Sequence, residues 1–193
     1  MLAYDVNDAY EIIEEEKFMS PTANINHHRI IANLMFTIGV YASTYKLGYV
    51  FADNMDVHFP DGSLFRPDFS FVSAANGKIV TDNANRTLHG VPDMVVEVFS
   101  RATMRRDLGI KKDLYERNGV KEYWMIDPWR ESVEVYLLRD GKYFLDDIYQ
   151  NYSAEELDEL TDEERAQIKF EVPVNVLDGF SVKIKNVFGW FLE

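Results

Sequence analysis

Cysteine is absent from the 193 residues. Its absence excludes disulfides and thiolate zinc sites and fits a reducing compartment, so a cytoplasmic location is expected. The opening MLAYDVNDAY lacks a positively charged start followed by an apolar stretch, and no secretory signal is read there. The most apolar segment, IIANLMFTIGVYA at 30–42, is too short to cross a bilayer, so no membrane partner is expected. Internal repeats, low-complexity tracts and linkers are missing, as are a phosphate-cradling glycine-rich loop and a serine-nucleophile elbow. Positive charge is scarce: 20 Lys and Arg stand against 33 Asp and Glu, for a net charge of −13. At face value such a balance opposes binding to a polyanion.

The charge is unevenly spread. Residues 146–166 carry nine acids against Arg165 alone, whereas residues 101–121 carry seven bases against three acids. One face is therefore left open to being basic. With 47% hydrophobic and 14% aromatic residues, the chain has the means to bury one sizeable core, and a single domain over 1–193 is expected.

Periodicity supplies the elements. EIIEEEKFMS reads as an edge strand or hairpin. Ile30, Ile31, Leu34, Ile38, Tyr41 and Tyr45 recur at helical spacing from about His27 to Lys46, with KLG as a basic last turn and a terminating glycine. Strands follow at YVFA, MDVHF and FRPDFSFV, and after a polar stretch at GVPDMVVEVFS. A second helix is predicted over Thr103–Asn118, closed by Gly119. KEYWMID, SVEVYLL and GKYFLDDIY read as strands, SAEELDELTDEERAQI as an exposed acidic helix, and the terminal segment as one or two further strands. This order predicts an α/β (α+β) domain on a mixed sheet.

The chemistry centres on GVPDMVVEVFS, where Asp93 and Glu97 interrupt a buried apolar run although ionised carboxylates are costly to bury. Alternation puts both on one face, but ~13 Å apart at ~3.3 Å per residue, too far to share one ion. The same distance disfavours a glycoside hydrolase built on this pair, whose carboxyl groups would need to be ~5–9.5 Å apart. RPDFSFV offers a better partner. Paired antiparallel with the first strand, it places Asp68 opposite Glu97, close enough for both to bind Mg²⁺ or Mn²⁺, with the Val98 carbonyl as a third oxygen. On the second helix Met104, Leu108, Leu114 and Tyr115 form an apolar stripe with Lys111 near its centre. Either Lys111 pairs with Asp107 and reaches solvent, or it is aimed at the carboxylates. Two acids, a divalent cation and a lysine are a recurrent set for phosphodiester hydrolysis. His27 and His28 are adjacent, so on a helix they point ~100° apart and cannot grip one ion as a pair.

RPDFSFV, VPDMVVEVFS, D-x-x-x-K at 107–111, Tyr115 and GVKEYWMIDP together resemble the Uma2 family (DUF820) of the PD-(D/E)XK nuclease superfamily, and EIIEEEKFMSP and HHRIIANL extend the likeness over most of the chain. The resemblance implies a restriction-endonuclease-like core with additional β-hairpins, and Mg²⁺- or Mn²⁺-dependent endonuclease activity on DNA. It makes Asp68 and Glu97 the metal ligands and Lys111 the catalytic cation, with Glu11, His27 and Asp93 at matching positions around the site. Phe99 stands where the parent motif has lysine, so Lys111 would replace it from the following helix. The competing expectation is an inert nuclease-fold module that binds nucleic acid or a protein. A homodimer is expected of an enzyme that cuts both strands.

Overall fold

The computed structural model describes residues 10–13, 16–19, 24–53, 55–81, 87–99 and 107–190. Strands β1 (Tyr10–Ile13) and β2 (Glu16–Met19) form the expected hairpin. Helix α1 (Ile25–Thr44) follows, started by Asn24, whose side chain accepts a hydrogen bond from the His27 amide. Its apolar face of Ile30, Ile31, Leu34, Ile38 and Ala42 is buried. The helix ends short of the predicted glycine stop. Lys46 makes the turn at φ 55°, and Gly48 opens β3 (Gly48–Ala52). A Cβ at Gly48 would lie 2.2 Å from the Val72 carbonyl oxygen, so this glycine answers to strand packing rather than to a helix end.

The run FRPDFSFV divides at its proline, which cannot extend a ladder. Leu64–Phe65 form β5 beside β4 (Val57–His58), while Phe69–Ser73 form β6 in another sheet. A short helix α2 (Lys78–Thr81) and strand β7 (Leu88–His89) occupy the region read as a polar stretch. Next come β8 (Met94–Val98), α3 (Asp107–Asn118), β9 (Glu122–Asp127), β10 (Ser132–Arg139) and β11 (Lys142–Gln150). The N-terminal part of the helix predicted from Thr103 lies outside the described residues. Gly119 closes α3 at φ 87°.

The predicted acidic helix is two short ones, α4 (Ala154–Glu159) and α5 (Asp162–Arg165). Ser153 and Thr161 each begin a capping box, and the second box restarts the chain where one helix would have continued. The terminal segment gives β12 (Glu171–Pro173), β13 (Ser181–Lys183) and an unexpected helix α6 (Ile184–Phe188).

Among the described residues the strands form three sheets, ordered β2-β1-β5-β4-β7, β11-β10-β9-β8-β6-β3 and β12-β13. In the six-stranded sheet only β8 and β9 run parallel, which makes it mixed. Met94, Val96 and Val98 of β8 join the core beneath α1, whereas Val95 joins Leu114, Tyr115, Tyr123 and Met125 in the core beneath α3. Glu97 shares the Val95 side and therefore faces α3. A central strand covered on both faces gives little room for conformational slack, and it is this strand that carries Glu97 and is entered at Asp93.

Candidate active site

Sheet register assembles the site. β3 pairs Ala52 with Phe69, and β6 pairs Phe69 with Val96. One step further along both ladders, Asp53 falls opposite Asp68 and Asp68 opposite Glu97, so three acids line up across three neighbouring strands. The Asp53 N–H donates to the Asp68 carbonyl at 3.0 Å, and the Val98 N–H donates to Asp68 Oδ2 at 2.7 Å. These bonds hold Asp68 between its neighbours. The predicted pairing of Asp68 with Glu97 thus follows from the observed register, although Asp68 precedes β6 rather than lying inside a continuous strand.

Helix α3 supplies the next layer. Lys111 and Tyr115 are four residues apart and share a face. Lys111 Nζ donates to Glu97 Oε2 at 3.0 Å, and Tyr115 Oη donates to Glu97 Oε1 at 2.6 Å. The side chains of Lys111 and Glu97 are only 11% and 10% exposed, so the pair is shielded from bulk water. Of the predicted stripe, Leu114 and Tyr115 are buried as expected. The side chains of Met104, Leu108 and Asp107 lie outside the described residues.

Helix α1 approaches from the other side. His27 Nε2 is 3.4 Å from Asp68 Oδ1, and it is buried without a hydrogen-bond partner. His28 is largely exposed, with Nδ1 3.5 Å from Asp53 Oδ2. Burial pushes the His27 pKa down, helped by the charges of His28 and Lys111, and outweighs the opposing effects of the Asp53 charge and a hydrogen bond to the Val98 backbone. The imidazole is accordingly neutral near pH 7. Burial, with the charges of Glu97 and Asp68 among the further causes, raises the Tyr123 pKa well above its ordinary value. One nitrogen of His27 and one oxygen each of Asp53 and Asp68 all lie within 4.8 Å of one another.

Asp93 is not brought to this row. It sits at the opposite end of β8, where Ser73 N, Asn76 Nδ2 and Lys121 Nζ donate to its carboxylate at 2.8, 3.2 and 2.6 Å. Glu11 lies on β1 opposite Phe18, and its side chain is outside the described residues. Of the basic stretch 101–121, Lys111 is paired with Glu97, Arg117 with Asp61 and Lys121 with Asp93, and Lys112 lies over the Tyr136 ring. Arg101, Arg105 and Arg106 lie outside the described residues. Trp124 is a core residue, while Trp129 and Trp190 are partly exposed. Asp53 was not singled out from the sequence. Its signal was available, because extending YVFA by one residue and pairing it antiparallel with FSFV places Asp53 against Asp68.

Residues 4–175 match the Uma2 family, described as "Putative restriction endonuclease". No curated protein matches the chain. Among solved structures, one described as "a putative nuclease belonging to DUF820 from Anabaena variabilis ATCC 29413" shares 17% sequence identity over 93% of this chain and 89% of that one, with a TM-score of 0.69. At that identity the likeness is one of fold, a mixed sheet flanked by helices.

Proposed function

Because the chain belongs to the Uma2 family, we propose that it is a divalent-metal-dependent endonuclease that hydrolyses phosphodiester bonds in DNA, with Asp68, Glu97 and Lys111 as its catalytic residues. The observation that carries this reading is Lys111 Nζ at 3.0 Å from Glu97 Oε2, in a site shielded from water and one strand away from Asp68. It answers the main objection from sequence, Phe99 in place of the motif lysine, since a lysine from α3 reaches the same carboxylate. The inert-module reading then rests on the overall acidity alone.

The donor set fits a hard divalent cation. Asp68 and Glu97 offer carboxylate oxygens from adjacent strands, the Val98 carbonyl lies beside them in sequence, and the chain as a whole is strongly acidic. Mg²⁺ or Mn²⁺ at Asp68 and Glu97 would supply Lewis-acid neutralisation of phosphate charge and a more acidic water. The protein's own groups do the rest. Lys111, ion-paired with Glu97, stabilises the negative charge that develops on the phosphate, or orients the attacking water. Tyr115 fixes the Glu97 rotamer by a bond that leaves lone pairs on both carboxylate oxygens. The cation also offsets the long-range repulsion between a chain of net charge −13 and a polyanion.

A two-fold homodimer is the form that would let two such sites cut both strands, and a reducing cytoplasm suits a chain without cysteine. Among the described residues no helix is long and apolar enough to cross a membrane. The test is nicking of supercoiled plasmid by the purified chain. Cleavage should require Mg²⁺ or Mn²⁺, disappear with EDTA, and fall by ~10²–10³-fold in Lys111→Ala. Metal-independent cleavage, or full activity in that variant, would remove the basis of the reading.

A further inference from the structure

The row of acids does not end at Asp68, and the features on its far side point to a ligand of their own. We propose a second cation position, held by His27 Nε2 and one carboxylate oxygen each from Asp53 and Asp68, that takes a divalent transition-metal ion in preference to Mg²⁺. It deepens the nuclease reading, on which it rests for the use made of the ion, and Asp68 serves both positions.

The first argument is the unpartnered nitrogen. His27 is more than nine-tenths buried, and its Nε2 has no hydrogen-bond partner although it is aimed at Asp68 Oδ1. The separation of 3.4 Å is longer than an N–H···O hydrogen bond, which runs at ~2.7–3.2 Å. Two ligands each ~2.1 Å from one ion stand roughly 3–4 Å apart, and the three candidate atoms here lie within 4.8 Å of one another.

The second argument is backbone. Asp53 occupies the left-handed region at φ 39°, directly after β3, with its N–H tied to the Asp68 carbonyl. Asp and Asn are the residues that tolerate this conformation after glycine, and such strain is held where a carboxylate must point at a particular place. The third is the surrounding shell: His28 Nδ1 lies 3.5 Å from Asp53 Oδ2. Partners of this kind fix the orientation of ligating imidazoles and carboxylates. The choice of metal follows from the nitrogen. Mg²⁺ favours oxygen and water, whereas imidazole with two carboxylates suits a first-row transition metal.

Mn²⁺ alone is the probe, added to the full chain and followed by calorimetry and by pulsed electron paramagnetic resonance. The wild type should show ¹⁴N coupling from a coordinated imidazole and bind Mn²⁺ about tenfold or more tightly than Mg²⁺. His27→Gln should abolish the coupling. Asp53→Asn, which keeps the left-handed backbone and therefore the fold, should weaken Mn²⁺ binding at least ~10-fold, and Glu97→Gln should leave the coupling intact. Bound Mn²⁺ without ¹⁴N coupling, or coupling that survives His27→Gln, overturns the second position while the nuclease reading stands. A chain that binds no divalent ion at all overturns both.

Discussion

Asp93, the residue before β8, and Glu97 within it stand four residues apart, and both are buried. Their surroundings differ. Asp93 receives a backbone N–H, an amide and an ammonium, and its cation, Lys121, is 68% exposed. Both of its oxygens accept hydrogen bonds, Asn76 reaches the Val91 carbonyl as well, and the loop after β6 is thereby tied to the start of β8. Glu97 receives a buried phenol and a buried lysine, and it adjoins a second carboxylate that is itself adjoined by a third and by an imidazole whose Nε2 has no hydrogen-bond partner. Like charges gathered on one sheet end destabilise a fold, so they persist for another reason. One end of the strand is organised for stability, and the other is the end to which the proposed function assigns the chemistry.

Glu97→Gln offers the largest expected effect and the most direct way to break this contrast. The amide keeps the shape and one acceptor while removing charge. Plasmid nicking should fall by ~10³-fold, the scale of losing a group that acts on the transition state, and the melting temperature should fall as well, because the buried Lys111 loses its anionic partner. A variant that loses stability and keeps its activity would reverse the roles of the two ends.

Asp93→Asn is the mirror experiment. One carboxylate oxygen becomes an NH₂ facing donors, which leaves a buried N–H or the lysine without an acceptor, at a cost of about 2–3 kcal/mol in urea denaturation. Specific activity per folded molecule should be unchanged. Burial alone would raise the Asp93 pKa, but the bonds from Lys121, Ser73 and Asn76 outweigh it and hold it below the usual carboxylate range. Its stabilisation is therefore present above the unfolded value of 3.8 and is lost as pH falls through the lower folded value. The variant should show a shallower loss of stability on acidification below about pH 4.

The two ends were unequally legible in the sequence. The Glu97 end could be read because its signals are local: a repeated Pro-Asp entry fixes the register of two strands, and 100° periodicity aims Lys111. Asp53 escaped because one residue past a strand carries no pattern of its own, and its partnership exists only in the pairing with β6. The Asp93 contacts come from a turn, Ser73 to Asn76, and from Lys121, which no periodicity links. The strand order of the first sheet could not be read because β4, β5 and β7 have two residues each, too few to show alternation. The break between α4 and α5 follows from Thr161 competing as a cap, a local choice that the acidic composition obscured. Helix α6 was missed because five residues span little more than one turn.

Tyr115→Phe sharpens the contrast at intermediate scale. The ring packs against Phe59, Phe65 and Tyr123, so phenylalanine preserves the core and deletes the bond to Glu97. Losing a short buried bond to a carboxylate costs about 1.5–2 kcal/mol of stability, and the loosened Glu97 should lower nicking by ~10-fold. Unlike Asp93→Asn, the variant should be impaired in both readouts. Loss of stability with full activity would make Tyr115 a core residue and nothing more.

A third buried acid gives the smallest effect and the finest test of what burial alone does. Glu122 is fully buried on β9 and accepts from Trp124 Nε1 and Val176 N at 2.8 Å each, and from Asn175 Nδ2 at 3.3 Å. These donors are all neutral, and burial raises its pKa despite them, the reverse of Asp93. With a raised folded value, the native state binds the extra proton. Stability from this residue is present at and below the unfolded value of 4.5 and declines as pH rises through the folded value. Glu122→Gln keeps the acceptor for Trp124 and removes the titration, leaving Val176 N–H unpaired at a roughly constant cost of ~1 kcal/mol. Melting curves of the two chains between pH 4.5 and pH 8 should therefore differ in slope, the wild type losing ground relative to the variant as pH rises. Histidine terms are common to both chains and cancel in the difference. Parallel curves would mean that three neutral donors hold this carboxylate as well as an ammonium holds Asp93, and the division of β8 and β9 by the charge of the partner would not stand.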